Sequence, residues 1–262
     1  MASAMVLRLV REIRQELPRA GVPKLQVLLK ASLAEHDIKM GRDALYYLLN
    51  QHGLLIRQRK RRPYTTDSNH RYRKYPNLIR EIKYLTHPGQ LWVSDITYIR
   101  HSKGFCYLSI VTDAYSHRII GYCLHPTLHR SGPIQALMMA SRSKRQSTLI
   151  HHSDRGSQYC CDEHVKMLEH YNIRISMTEN GDPYENAIAE RINGILKNDF
   201  ELHKTFSGFA EAEKAVQSAV DRYNRIRPHA SCDNLTPDKA HQGNGVLRKR
   251  WKTKAEHEKM IT

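Results

Sequence analysis

The sequence predicts an α/β protein, a mixed sheet flanked by helices and preceded by a small all-α unit. Three observations predict it. The first 56 residues keep a helical apolar period. A densely basic stretch, 57–76, contains very few aliphatic residues. From residue 90, three β-rich runs give way to alternating helix and strand, the pattern of an α/β sandwich.

In the first unit, Val6, Leu9, Val10, Ile13 and Leu17 recur at helical spacing until Pro18 and Gly21. A second helix carries Leu25, Leu28, Leu29 and Leu33 after Pro23, which a first helical turn tolerates. The third follows Gly41, with Ala44, Leu45, Leu48 and Leu49 as its buried stripe. Three short amphipathic helices in about 50 residues suit a helix-turn-helix unit. The opposite face of the third shows Arg42, Tyr46, Tyr47 and Asn50, types that reach phosphates or base edges. A helical bundle used for protein contacts is the plainer alternative. The linker RQRKRRPYTTDSNHRYRKYP, with Arg59, Lys60, Arg61 and Arg62 at its start, suits a phosphate backbone or a solvated spacer equally.

QLWVSDITYIR, FCYLSIVTDAY and HRIIGYCLHP read as an antiparallel meander. After them come a helix near 131–142, a strand STLIHH, a helix near 158–171 and a strand NIRISM. Helices at about 184–200 and 208–225 close the series. Phe209, Ala212, Val216, Ala219, Val220 and Tyr223 keep a core period in the last of them. The segment after Gly243 is basic and poorly specified.

Composition narrows the function classes. Among 262 residues, 42 Lys and Arg stand against 26 Asp and Glu, a net charge of +16. A field of that sign gathers polyanions, nucleic acid above all. No long uncharged stretch can span a membrane, and the N-terminus lacks a signal-peptide core, so a cytoplasmic location is expected. The five cysteines, at 106, 123, 160, 161 and 232, form no CxxC pair, which argues against a disulfide framework or a cysteine-rich zinc site.

Three acids stand out. Asp95 interrupts the central strand LWVSDITYI, where an ionised carboxylate needs a compensating partner: a cationic side chain, water at a strand end, or a metal. Asp154 follows the apolar run LIHH at a strand end, the usual place for a functional group in such folds, although a helix N-cap explains it too. Glu190 lies on the helix NAIAERINGILKND, whose Ile188, Ile192 and Ile195 point inward. Asn186, Glu190, Asn193, Gly194 and Lys197 gather on the other side, which by itself is an ordinary solvated face. Taken together, carboxylates from two strands and a covering helix meet the demand of Mg²⁺ for oxygen ligands from separate elements. Phosphodiester chemistry with two metals about 3.5–4 Å apart needs one bridging carboxylate and a further ligand for each ion. Thirty-five residues separate Asp154 from Glu190.

That order of acids and that spacing, with Lys197 seven positions beyond Glu190, resembles the retroviral-integrase superfamily of DDE recombinases. WVSDITYI, HSDRGSQY, NGDPYENAIAERINGILKND and YNRIRPHASCDNLTP are similar to the second-frame (OrfB) transposases of the IS-three group of insertion sequences, over about residues 88–240. The resemblance implies an RNase H-like sheet and a site for two Mg²⁺ ions, or Mn²⁺, held by Asp95, Asp154 and Glu190 as catalytic acids. Lys197 falls on a basic residue that contacts DNA, with Asn186 and Asn193 beside it. The expected organisation is a helix-turn-helix DNA-binding domain at 1–56, a basic linker at 57–87, an integrase-type catalytic core at 88–226 and a basic tail at 227–262. Glu185-Asn186 stands where the family usually has Asp-Asn, and residues 1–56 hold no cysteine, so the retroviral zinc finger is absent.

The implied reaction is cleavage at the element's end by a metal-activated water, freeing a 3′-OH that attacks a second phosphodiester. Neither step needs a covalent protein intermediate or ATP. Implied partners are double-stranded DNA (terminal inverted repeats and target), further copies of the chain on that DNA, and a first-frame (OrfA) protein; the implied location is cytoplasmic and nucleoid-associated. Three rivals remain: a nuclease cutting RNA in hybrids, a DNA-binding regulator with a degenerate core, and a basic scaffold. His151 and His152 alternate across a strand and read as structural, Cys160-Cys161 as helix packing, and Asp113 as a salt-bridge partner. Arg227-Pro228-His229 has no evident chemical role.

Overall fold

A computed structural model describes residues 2–56, 70–144, 148–179 and 183–250. Three helices open the chain: α1 (Ala2–Glu16), α2 (Val22–Glu35) and α3 (Arg42–Gln51). Their breaks follow the punctuation in the sequence, with Gly21 and Gly41 extended before α2 and α3 and Pro23 in the first turn of α2. Val6, Val10, Leu17, Leu25, Leu29, Leu45 and Leu49 form the buried seam. Ala44 is exposed instead of buried, because Leu45, Leu48 and Leu49 already fill the inner face of α3. The expected outer face is confirmed: Arg42, Tyr46, Tyr47 and Asn50 are all exposed. Arg59, Lys60, Arg61 and Arg62 lie outside the described residues, as do 251–262 of the basic C-terminal segment.

The sheet contains β1 (Leu91–His101), β2 (Gly104–Asp113), β3 (Ile119–His125), β4 (Ile150–Ser153) and β5 (Arg174–Met177) in the order β3-β2-β1-β4-β5. The first three strands form the antiparallel meander, and β4 and β5 add in parallel to β1. On one face, α4 (Ser131–Ser141) and α6 (Asp162–His170) pack over Trp92, Val111 and Ile120. Gly121 permits this approach, since a Cβ there would stand 2.1 Å from the Ala136 carbonyl oxygen. On the other face lie α7 (Ala187–Asp199) and α8 (Phe209–Ile226), packing Ile192, Leu196, Val216 and Tyr223 against Ile99, Leu108 and Ile110.

Two expected helices differ in detail. The one near 158–171 is broken at Cys161, which is extended and separates α5 (Ser157–Cys160) from α6. Asp162 and Glu163 at once supply the acidic first turn that suits a new helix N-terminus. The other begins as a 3-10 turn, Pro183–Asn186, before α7. Beyond α8 the chain folds back through α9 (Pro237–Ala240), capped by the Thr236 side chain, so Arg227, His229, Cys232 and Ala240 are buried.

Candidate active site

Strand register brings the first two acids level. β1 pairs with β4 through Leu91–Ile150, Trp92–His151 and Val93–His152. Continued for two residues, the same parallel register sets Asp154 beside Asp95. Beyond Val93, β1 has no strand partner on that side among the described residues, so Asp95 sits where the sheet opens between β1 and β4. Branch points of this kind, past strand ends, are where α/β sheets place ligands.

The third acid comes from above. Helix α7 turns Ala189, Ile192, Ile195 and Leu196 into the core and leaves Glu190 exposed in its first turn. Asn193, one turn on, donates from Nδ2 to Asp95 Oδ2 at 2.8 Å. Asn186 donates to the Ser94 carbonyl oxygen at 2.9 Å and so fastens the start of α7 to the same strand. Both amides are buried. The structure therefore puts the two asparagines on the floor of the site, whereas sequence reasoning grouped them with DNA contacts.

Electrostatics ties the acids together. The Asp95 carboxyl is pushed up to about 7, first by burial, then by the negative charge of Asp154, with a smaller push from Glu190. Hydrogen bonds from Asn193 and from the Ile96 amide, at 2.8 Å, act in the opposite direction. Asp154 Oδ1 accepts from the Gly156 amide at 2.9 Å, the local turn that leads into α5. Among the described residues, no three His, Cys, Asp or Glu side chains stand close enough to form a ready metal cage. The donor set nonetheless suits a hard divalent cation in kind: Asp154 and Glu190 both raise the proton affinity of Asp95, and a bound cation would relieve that repulsion. The Asn193 Oδ1 atom, buried and without a hydrogen-bond partner among the described residues, adds an oxygen one amide away from Asp95.

Lys197 stands a further turn along α7. Its ammonium lies 3.9 Å from the centroid of the Tyr98 ring, and burial lowers its pKa while Asp95 raises it. Tyr98 is a neighbour that sequence reasoning missed, as is Tyr159, buried close enough for Asp95 and Asp154 to add to the upward shift of its phenol. A lone tyrosine in a β-rich run or a short helix carries no signal of such a role.

The residues set aside as structural are so placed. His151 and His152 point to opposite faces, one bonded to Ser94 Oγ at 2.7 Å and the other to Ser176 Oγ at 2.8 Å. Cys160 and Cys161 are buried, and burial pushes the Cys160 thiol up to about 11. Asp113 accepts from the Gly89 and Ser116 amides and the Ser116 hydroxyl, and its Oδ1 lies 3.8 Å from His241 Nδ1, so backbone donors join the expected salt bridge, which is ionic when that imidazole is protonated. Glu185, the departure from the usual Asp, accepts from Arg80, Asn77 and the Glu179 amide; it braces the loop ahead of α7.

Two family models, both described as integrase core domain, match residues 86–183 and 171–237. The 31 kDa protein of insertion element IS600 from Shigella sonnei is 36% identical over 220 residues, covering 82% of this chain and 81% of its own length. The transposase InsF for insertion sequence IS3A from Escherichia coli K12 is 31% identical over 222 residues, 84% of this chain and 76% of its own. Among solved structures, a chain of the simian T-cell lymphotropic virus intasome in complex with PP2A regulatory subunit B56 gamma superposes with a TM-score of 0.50 at 21% identity, covering 64% of this chain and 60% of that one. The last likeness concerns fold: a five-stranded mixed sheet flanked by helices, as in RNase H-like integrase cores.

Proposed function

The chain belongs to the insertion-sequence transposases that carry an integrase core domain, and from that membership we propose that Asp95, Asp154 and Glu190 are its catalytic acids in DNA strand cleavage and strand transfer. The observation that carries this reading is the electrostatic coupling of Asp95 to the other two acids at the opening between β1 and β4. The three carboxylates would hold Mg²⁺ or Mn²⁺, two ions in the complete site, and the metal would supply charge stabilisation and an activated water at the scissile phosphate.

The chain's own residues do the positioning. Asn193 holds one oxygen of Asp95, which limits the directions the carboxylate can take. Asn186 keeps α7 against β1, and with it the distance from Glu190 to the two aspartates. Lys197, carried over Tyr98, offers a cation to a DNA phosphate beside the acids. We assign Arg42, Tyr46, Tyr47 and Asn50 on α3 to recognition of the element's terminal repeats, and Arg59, Lys60, Arg61 and Arg62 to following the phosphate backbone. Residues 1–56 would then form the DNA-binding domain, 57–87 a basic linker, 88–226 the catalytic core and 227–262 a basic tail. Pairing two ends calls for more than one copy of the chain on DNA, and a first-frame protein is the natural further partner. Among the described residues no helix is long and apolar enough to cross a membrane.

The test incubates the purified chain and its Asp154→Asn variant with labelled duplexes bearing the element's ends and Mg²⁺. Wild type is expected to nick and join strands, while the variant binds DNA and does neither. Equal activity in both, or cutting confined to the RNA strand of a hybrid, would overturn the reading.

A further inference from the structure

Arg227-Pro228-His229 has no place in the chemistry above, yet Arg227 is buried, and its Nε donates to Asp199 Oδ2 at 2.9 Å. Asp199 is the last residue of α7, the helix that carries Glu190. The same oxygen receives a second cation from the other end of the chain, Lys24 Nζ of α2, at 3.3 Å. The Asp199 carbonyl also accepts from the Arg19 amide at 3.3 Å. Two further links run alongside: Arg225 pairs with Glu16 at 3.2 Å, and Arg222 donates to the Gln15 carbonyl at 3.2 Å. Beneath them, Leu17, Leu25 and Leu29 belong to one continuous apolar cluster with Leu196, Phe200 and Tyr223.

We infer that Asp199 is a positioning residue that couples the N-terminal helices to the catalytic helix, so that DNA held by the former adjusts the latter and Glu190 with it. The inference rests on the proposed function. Its physical basis is that one carboxylate oxygen serves cations from two separate parts of the chain. A shift of α2 on DNA must therefore move or release the end of α7. About nine residues of helix, roughly 13 Å at 1.5 Å per residue, separate that end from Glu190, and a helix transmits such a shift as a rigid rod.

The experiment compares wild type with Lys24→Met and Lys24→Arg, reading affinity for the element-end duplex, the rate of strand cleavage, and amide hydrogen exchange across 187–199. Lys24→Met is expected to bind DNA within about twofold of wild type but to cleave about tenfold more slowly, an ordinary size for coupling between two sites, with Lys24→Arg restoring most of the rate. DNA should slow exchange across 187–199 in wild type and not in Lys24→Met. Unchanged cleavage in Lys24→Met, or a fall matched by equal loss of DNA affinity, would overturn the coupling. If wild type itself cuts nothing, the proposed function fails, and the exchange readout still decides the coupling: DNA-dependent protection identical in wild type and Lys24→Met overturns it.

Discussion

Asn193 Nδ2 donates to Asp95 Oδ2 at 2.8 Å, joining α7 to the central strand at the acid itself. That bond favours the charged carboxylate and opposes the burial and the neighbouring acids that push Asp95 up to about 7. Asn193→Ala removes the donor, so the Asp95 pKa should rise further. The acid limb of the cleavage pH profile should move to higher pH in the variant; an unmoved limb would separate Asp95 from the rate.

Stability should follow the same group. Because its pKa in the fold, about 7, exceeds the ordinary carboxylate value of 3.8, the folded state holds its proton through that window while the unfolded chain has lost it. Its stabilising contribution is thus full below pH 3.8 and lost as pH rises through about 7. Without divalent metal, the melting temperature should therefore decline as pH rises from 3.8 through about 7, the span between the two pKa values. Asp95→Asn should flatten that part of the decline, and Mg²⁺ should raise the wild-type melting temperature more at the alkaline end. Calorimetry across pH checks all three.

The Arg227–Asp199 pair is largely buried, with side-chain exposures of 6% and 15%. Arg227→Met leaves Lys24 as the ion-pair partner of Asp199 among the described residues and takes the guanidinium from beside His229. Breaking a buried pair from one side costs about 3–5 kcal/mol. Urea unfolding of Arg227→Met should show a loss of that order, whereas Glu16→Gln, which breaks an exposed pair, should lose less than about 1 kcal/mol.

Gly121 is required by contact, not by backbone angle. An added methyl would meet the Ala136 carbonyl at 2.1 Å and the Ala140 amide at 2.9 Å, so α4 must move away from β3. Overpacking of this kind costs about 1–3 kcal/mol, and more where backbone must yield. Gly121→Ala should lower stability by at least that much in denaturant unfolding.

The element that carries each of the three acids was legible in the sequence because period and position carry physical meaning. An Asp in an apolar strand and another past a strand end point to one edge of a sheet, and the Ile188–Ile192–Ile195 stripe fixes which side of α7 faces inward. The contacts of Asn186 and Asn193 with β1 were illegible because an amide on a helix's polar side reads as solvated until the neighbouring strand is in place. Arg227 and Asp199 were illegible for a related reason: one ends a helix, the other follows one, and only tertiary packing joins them. Cys161 broke a helix that periodicity made continuous, since a change to extended backbone at one residue leaves the apolar period almost intact. At Asp113 the expected ionic partner, His241, is joined by amides from a turn, which periodicity does not announce.

The claim on which all else rests is that Asp95, Asp154 and Glu190 together hold the divalent metal. Titration of the free protein with Mn²⁺, followed by electron paramagnetic resonance of the unbound ion, tests it without any DNA. Saturable binding is expected in wild type, with a marked weakening in each of Asp95→Asn, Asp154→Asn and Glu190→Gln. Binding that any one of these variants retains at wild-type affinity would contradict it.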